Sequence, residues 1–194
     1  MKAIAAGVGV VLGVCVVGVQ AEAYSASYDQ KVTQGRQMMA GKVTIHDELF
    51  RMEATVDGQA TVTIRNASGT YTYLPAEGMA MKMAGLNPSQ QPVQHAENYQ
   101  QYLHAQHAER IGAETIDGHP CEIYRFTDPT IQGTITAWVW MEKSFPLKTE
   151  IDGPDGKTVV ELTNLQLGVA VPETAFQLPA DVQVMDMGSM MHMR

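Results

Sequence analysis

Cysteine is almost missing from this chain: two residues in 194, Cys15 and Cys121. Cys15 sits inside an apolar N-terminal run. Once that run is removed a single thiol remains, no internal disulfide can form, and stability must come from a packed core. Basic residues are scarce as well, with 13 Lys and Arg against 21 Asp and Glu, a formal charge of −8. That balance disfavours nucleic acid and anionic lipid head groups as partners. The signatures of catalysis are also lacking. There is no nucleophile elbow with Ser-His-Asp order, no paired carboxylates in a local context, no Gly-rich phosphate loop and no zinc-protease helix. An enzyme is not expected.

What is present begins with an export signal. Met1-Lys2 gives a positive start, Ala3 to Val19 is uninterrupted apolar sequence, and Gln20-Ala21-Glu22-Ala23 places small residues where a signal peptidase reads. Residues 1–23 are read as a signal peptide cleaved after Ala23, with Ala21 as second choice, which makes the protein periplasmic. The alternative is an uncleaved anchor. Four glycines in the run and the lack of a flanking basic stop signal argue against it. Leu12-Gly13-Val14-Cys15 resembles a lipidation box, but Val14 stands where a small residue belongs and Cys15 falls within the apolar run of the signal, so lipidation is not expected.

From residue 24 onward the pattern has period two. Ser25–Thr33, Gln37–His46, Glu48–Val56, Ala60–Arg65, Thr70–Leu74 and Met79–Met83 alternate and are parted by turn residues such as Asp57-Gly58 and Asn66-Ala67-Ser68-Gly69. Phe50, Met52, Ala54 and Val56 alternate with Leu49, Arg51, Glu53 and Thr55, so one face is buried. Val62 and Ile64 are expected to point inward with Phe50 and Met52. Residues 95–109 avoid β-branched side chains entirely and read as one helix with a thin apolar stripe of Tyr99, Tyr102 and Leu103. Five more strands follow, Ile111–Ile116, Cys121–Phe126, Ile135–Met141, Leu147–Ile151 and Thr158–Leu167, and a short turn of helix, Pro172 to Phe176, closes them. Short turns between successive strands make them antiparallel. The expected fold is mainly β: a strongly curled antiparallel sheet or open β-barrel of about 11 strands, with one covering α-helix at its mouth or concave side. Residues 24–182 form that domain, and residues 183–194 a flexible methionine-rich tail.

Several segments together resemble the LolA/LolB-like periplasmic lipoprotein carriers. They are Glu48 to Ala54, Tyr73-Leu74-Pro75, Met79 to Met83, Asp117 to Tyr124, Trp140 to Lys148 and Phe176 to Pro179. The resemblance implies an incomplete barrel whose helical lid encloses an apolar cavity for acyl chains, and an early-strand arginine, here Arg51, that controls the lid. Parity sets Arg51 beside Glu53 and Thr55, which is also the place of a solvated cross-strand ion pair. The expected ligand walls are Phe50, Met52, Val62, Ile64, Trp138 and Trp140; core packing accounts for the two tryptophans equally well. The expected partner is an apolar small molecule or a lipoprotein acyl chain, held by a monomer that touches membrane proteins transiently. A non-catalytic envelope scaffold is the bland alternative.

A second kind of chemistry lies in the tail. Met185, Met187, Met190, Met191, His192 and Met193 are soft or borderline donors suited to Cu(I), the one cofactor the sequence entertains. Met79, Met81 and Met83 can join them only if the tail folds back. A loosely packed apolar terminus is the competing explanation. His104 and His107, three apart on the expected helix, read as solvated histidines, and Cys121 as a buried structural thiol.

Overall fold

A computed structural model describes residues 24–56, 58–83, 99–128, 133–154 and 156–186. The chain runs β1 (Ser25–Gln34), β2 (Gln37–His46), β3 (Leu49–Val56), β4 (Gln59–Asn66), β5 (Gly69–Leu74), β6 (Met79–Lys82), α1 (Tyr99–Ala105), β7 (Glu109–Ile116), β8 (His119–Asp128), β9 (Gly133–Trp140), β10 (Phe145–Gly153) and β11 (Gly156–Leu167). A 3-10 turn (Glu173–Phe176) and β12 (Gln183–Asp186) close it. All twelve strands belong to one open sheet in the order β12-β6-β5-β4-β3-β2-β1-β11-β10-β9-β8-β7. The expected mainly-β curled sheet with one helix is the fold found.

Local chemistry sets the hairpins. Asp117 and Gly118 both take positive φ, 48° and 79°, the backbone that a two-residue turn needs to match strand twist. The long-range closure is β1 against β11, which joins the first and last long strands and places β1 near the centre of the sheet.

Three expectations change. The strands number twelve, because Gln183–Asp186, expected as the start of a flexible tail, pairs with Met79–Lys82 as β12. That pairing is parallel, the one exception to the antiparallel pattern among the described strands, because the chain crosses the sheet before it pairs. The helix is seven residues long: its 95–98 portion lies outside the described residues, and residues 106–108 are a turn and a link, not helix. His107 has φ 51°, so it has left the helix and does not share a face with His104.

Register divides the sheet into an apolar and a charged face. On the apolar face, Tyr28 pairs with Val43, Val43 with Met52, Met52 with Thr63, Thr63 with Thr72, Thr72 with Met81, and Met81 with Met185. In the other direction Val32 pairs with Val160, Val160 with Thr149 and Thr149 with Ala137. The opposite face carries Asp29, Lys31, Arg51, Glu53, Lys148 and Glu161, the charged complement of those rows. Tyr28, Val43, Ile45 and Leu162 are buried on the apolar side. Burying a side chain of that size contributes roughly 1.5–3 kcal/mol.

Candidate functional site

The apolar face is the candidate binding surface, and α1 is its cover. Tyr99 and Leu103, four residues apart on α1 and therefore on one side of it, pack against Phe126, Ile135, Ala137, Val139 and Ile151. Register carries Ile135, Ala137 and Ile151 onto the same face as Val32, Val160 and Tyr28. The helix thus lies on the apolar side, over β8, β9 and β10.

An aromatic joint anchors it. The Tyr102 ring stands edge-on to Phe126 at 5.5 Å and tilted to Tyr99 at 5.5 Å. The Tyr102 hydroxyl donates to Asp128 Oδ2 at 2.8 Å, and Asp128 is buried. Burial first, and then the bond to Asp128, push the Tyr102 phenol well above its ordinary range, so it stays a donor at any physiological pH. Gln30 is one of the buried polar residues on this surface, with Thr149. It is 4% exposed and lies between Leu162 and Gly41 in register.

The residues expected to line one cavity do not all meet. Phe50 and Met52 are buried on the apolar face, in one cluster with Tyr28, Phe145 and Leu147. Val62 and Ile64 are on the other face. The two-residue turn before Gln59 pairs Val56 with Gln59, so the odd-numbered residues of β4 take the apolar side: Thr61 lies beside Ala54 and Thr63 beside Met52. Phase at that turn, not hydrophobicity, decides the matter. Val62 and Ile64 are buried instead on the side crossed by the C-terminal strap, residues 168–182.

Trp138 and Trp140 adjoin the cluster of Phe50 and Met52 through a break in register. The pairing of β10 with β9 slips between Pro146 and Lys148, so that Phe145 pairs with Trp140 while Lys148 pairs with Trp138. Phe145 and Leu147 share parity, and the Phe145 ring stands 6.1 Å from Tyr28 on the apolar face. Beyond the slip, the inner rows of β9 beneath α1 belong to Ile135, Ala137 and Val139. Trp138 therefore sits at a boundary. Its indole donates to Glu114 Oε2 at 2.6 Å and lies 4.3 Å beneath the Lys148 ammonium, both charged-face groups. Trp140 stacks on His119 at 4.0 Å.

Arg51 lies on the charged face, opposite to α1. Its Nε donates to Glu53 Oε1 at 2.8 Å, an ion pair along β3 and not across strands as expected, and its Nη1 donates to the Ala175 carbonyl at 3.0 Å. The second bond, to the strap, had no sequence signal. Neither did Asn66, whose Nδ2 donates to the Phe176 carbonyl at 2.9 Å. Of the tail donors, Met185 lies in β12; Met187, Met190, Met191, His192 and Met193 lie outside the described residues, as do residues 1–23. Cys121 is buried and its thiol is pushed up, chiefly by burial. That is the state of a structural cysteine.

A cleft of about 770 Å³ occurs on the charged face, where the sheet curls and brings Glu114 and Ile116 of β7 towards Lys31, Lys42 and Glu161. Asp117, in the turn after β7, accepts from the Asn164 backbone N–H at 2.8 Å, and Asn164 Nδ2 donates to Asp29 Oδ2 at 2.7 Å. This cleft is charged and already laced by pairs such as Lys31–Glu161 at 3.8 Å. No group of three or more His, Cys, Asp or Glu residues is placed to hold a metal among the described residues.

No protein-family model matches the sequence, and no curated protein sequence matches it. Solved structures do match. An uncharacterised conserved protein from Thermus thermophilus superposes with a TM-score of 0.59 at 11% identity, covering 84% of this chain and 90% of that one. MucB in the Pseudomonas aeruginosa MucA/MucB complex gives a TM-score of 0.55 at 17% identity. That alignment covers 84% of this chain and 58% of MucB, so the chain spans little more than half of that relative's length. The Mycobacterium tuberculosis lipoprotein LppX gives 0.53 at 14% identity, covering 75% and 89%. At these identities the likeness is one of fold: the chain shares the curled, open β-sheet of MucB and LppX.

Proposed function

We propose that this protein is a binding protein of the bacterial periplasm that holds an apolar ligand, a lipid or a lipoprotein acyl chain, against the apolar face of its sheet. The observation that carries the reading is that face itself. It is apolar from Phe126 on β8 to Met52 on β3, and among the described residues one seven-residue helix covers the part of it on β8, β9 and β10. So short a helix has little stability of its own and is held by its packing, so it can leave without unfolding the sheet. Burial of alkyl surface would supply the affinity, roughly 0.8 kcal/mol per methylene. The shared fold with a lipoprotein, LppX, and with MucB supports an envelope role, and the LolA/LolB-like motifs of the sequence agree with it. Binding, not catalysis, is the activity proposed, by a monomer that meets membrane proteins in passing.

Native mass spectrometry of the protein purified from its own cells without detergent tests this. A mass excess that partitions into organic solvent is the expected result and identifies the cargo. A bare polypeptide that also fails to take up an alkyl fluorophore would overturn the reading and leave an envelope scaffold.

A further inference from the structure

The start of the tail does fold back, and it does so beside the methionines of β6. In the parallel β12–β6 pair Met185 is the register partner of Met81. Neighbouring strands lie about 4.8 Å apart, and register partners point to the same face. Met79 and Met83 lie two residues either side of Met81 and alternate onto that face too. The backbone N–H of Met83 still donates to the Thr70 carbonyl at 2.9 Å, which keeps it in the sheet's plane. Four thioethers from segments a hundred residues apart in sequence therefore share one face at the sheet's edge. None of the four is fully buried, and Met83 is 40% exposed, so an ion can reach them from water. On the way in from Met52 the same row consists of Thr63 and Thr72, so the methionines are separated from the apolar core and do not fill it.

We infer that Met81, Met83 and Met185, with Met79 adjacent, form a site for a soft monovalent cation, Cu(I). Thioether sulfur is a neutral, polarisable donor that selects Cu(I) over hard divalent ions. Three flexible side chains on one face of two adjacent strands match its low coordination number. No charged ligand is involved, and no electron transfer is needed. The donors do not titrate, whereas sites built on cysteine or histidine lose protons on binding and weaken in acid. The site is independent of the apolar-ligand reading and survives its failure.

The test is anaerobic competition for Cu(I) between the full-length secreted chain and a chromogenic bidentate chelator, at pH 8 and pH 5. A variant with Met187, Met190, Met191 and Met193 changed to Leu and His192→Gln should keep one Cu(I) per chain, bound tighter than by free methionine and equally at both pH values. Adding Met81→Leu and Met185→Leu to it should weaken binding at least tenfold. Met-to-Leu exchanges nearly conserve volume, and an unchanged thermal transition confirms that the variant is folded. Loss of all Cu(I) from the tail variant, or affinity that falls steeply in acid, would overturn the inference. So would undiminished binding after Met81→Leu and Met185→Leu.

Discussion

Glu150 is the residue on which the charged face's electrostatics turn. Its carboxylate accepts from Lys157 at 2.5 Å and from Lys148 at 3.0 Å, and Lys148 in turn caps Trp138. The bond from Lys157 first, with Lys148 adding, holds the Glu150 carboxyl below its ordinary value despite partial burial. A carboxyl whose folded pKa is depressed stabilises the protein fully above its unfolded pKa. It loses that contribution as pH falls through the folded value. The stabilisation is therefore complete at neutral pH and disappears in acid, below the ordinary carboxylate range. Glu150→Gln should lower the urea midpoint at pH 7 and leave it nearly unchanged at pH 3. An equal loss at both pH values would mean that packing, and not charge, is what Glu150 supplies. Tryptophan fluorescence follows both unfolding and the local event, because Trp138 lies directly under Lys148.

Among the elements, the C-terminal strap is the one whose docking the sequence concealed. Its 3-10 turn is fixed over β3 and β4 by Arg51 and Asn66, both donating to backbone carbonyls, and by Phe176, which is only 1% exposed. Phe176→Ala should cost about 3–5 kcal/mol, as for other buried aromatic truncations. Arg51→Ala should cost less, and hydrogen exchange should then rise across residues 173–186 while α1 is unaffected. Faster exchange in α1 instead would return Arg51 to the lid-controlling part that the family resemblance implies. The succession of strands along the chain, the hairpins and the existence of a single helix were legible because alternation and turn residues are local signals. The turn of helix at Pro172 to Phe176 was legible too, but its seat on β3 and β4 was not, because what it offers to Arg51 and Asn66 are backbone carbonyl oxygens, which every residue carries. The face of Val62 and Ile64 was missed for a related reason. Each strand's alternation was clear, but the phase between two strands depends on turn length, and a shift of one residue inverts it. Trp138 and Trp140 were ambiguous in the sequence because β9 is apolar on both sides, and their place depends on a register slip in β10 that alternation does not announce.

At the scale of the whole molecule, one sheet carries two covers, α1 on the apolar face and the strap on the other. The proposed function assigns them different work. The strap buries Phe176 and continues into β12, so it belongs to the permanent structure. The helix is short, is pinned by Tyr99, Leu103 and the Tyr102–Asp128 bond, and lies over the surface where a ligand would go. Loosening each cover should therefore have different consequences. Leu103→Ala removes a side chain that is 5% exposed and should lower stability by at most the 2–5 kcal/mol usual for such truncations, about as much as any core leucine. More tellingly, it should speed the entry of an alkyl fluorophore several-fold, measured by stopped-flow. Phe176→Ala should destabilise at least as much and leave the entry rate unchanged. If both variants accelerate entry in proportion to their lost stability, uptake proceeds through global opening of the sheet, and α1 is a structural element, not a lid. If only Leu103→Ala does so, the apolar face is gated by its helix, and the two covers of one curled sheet are mechanically separate.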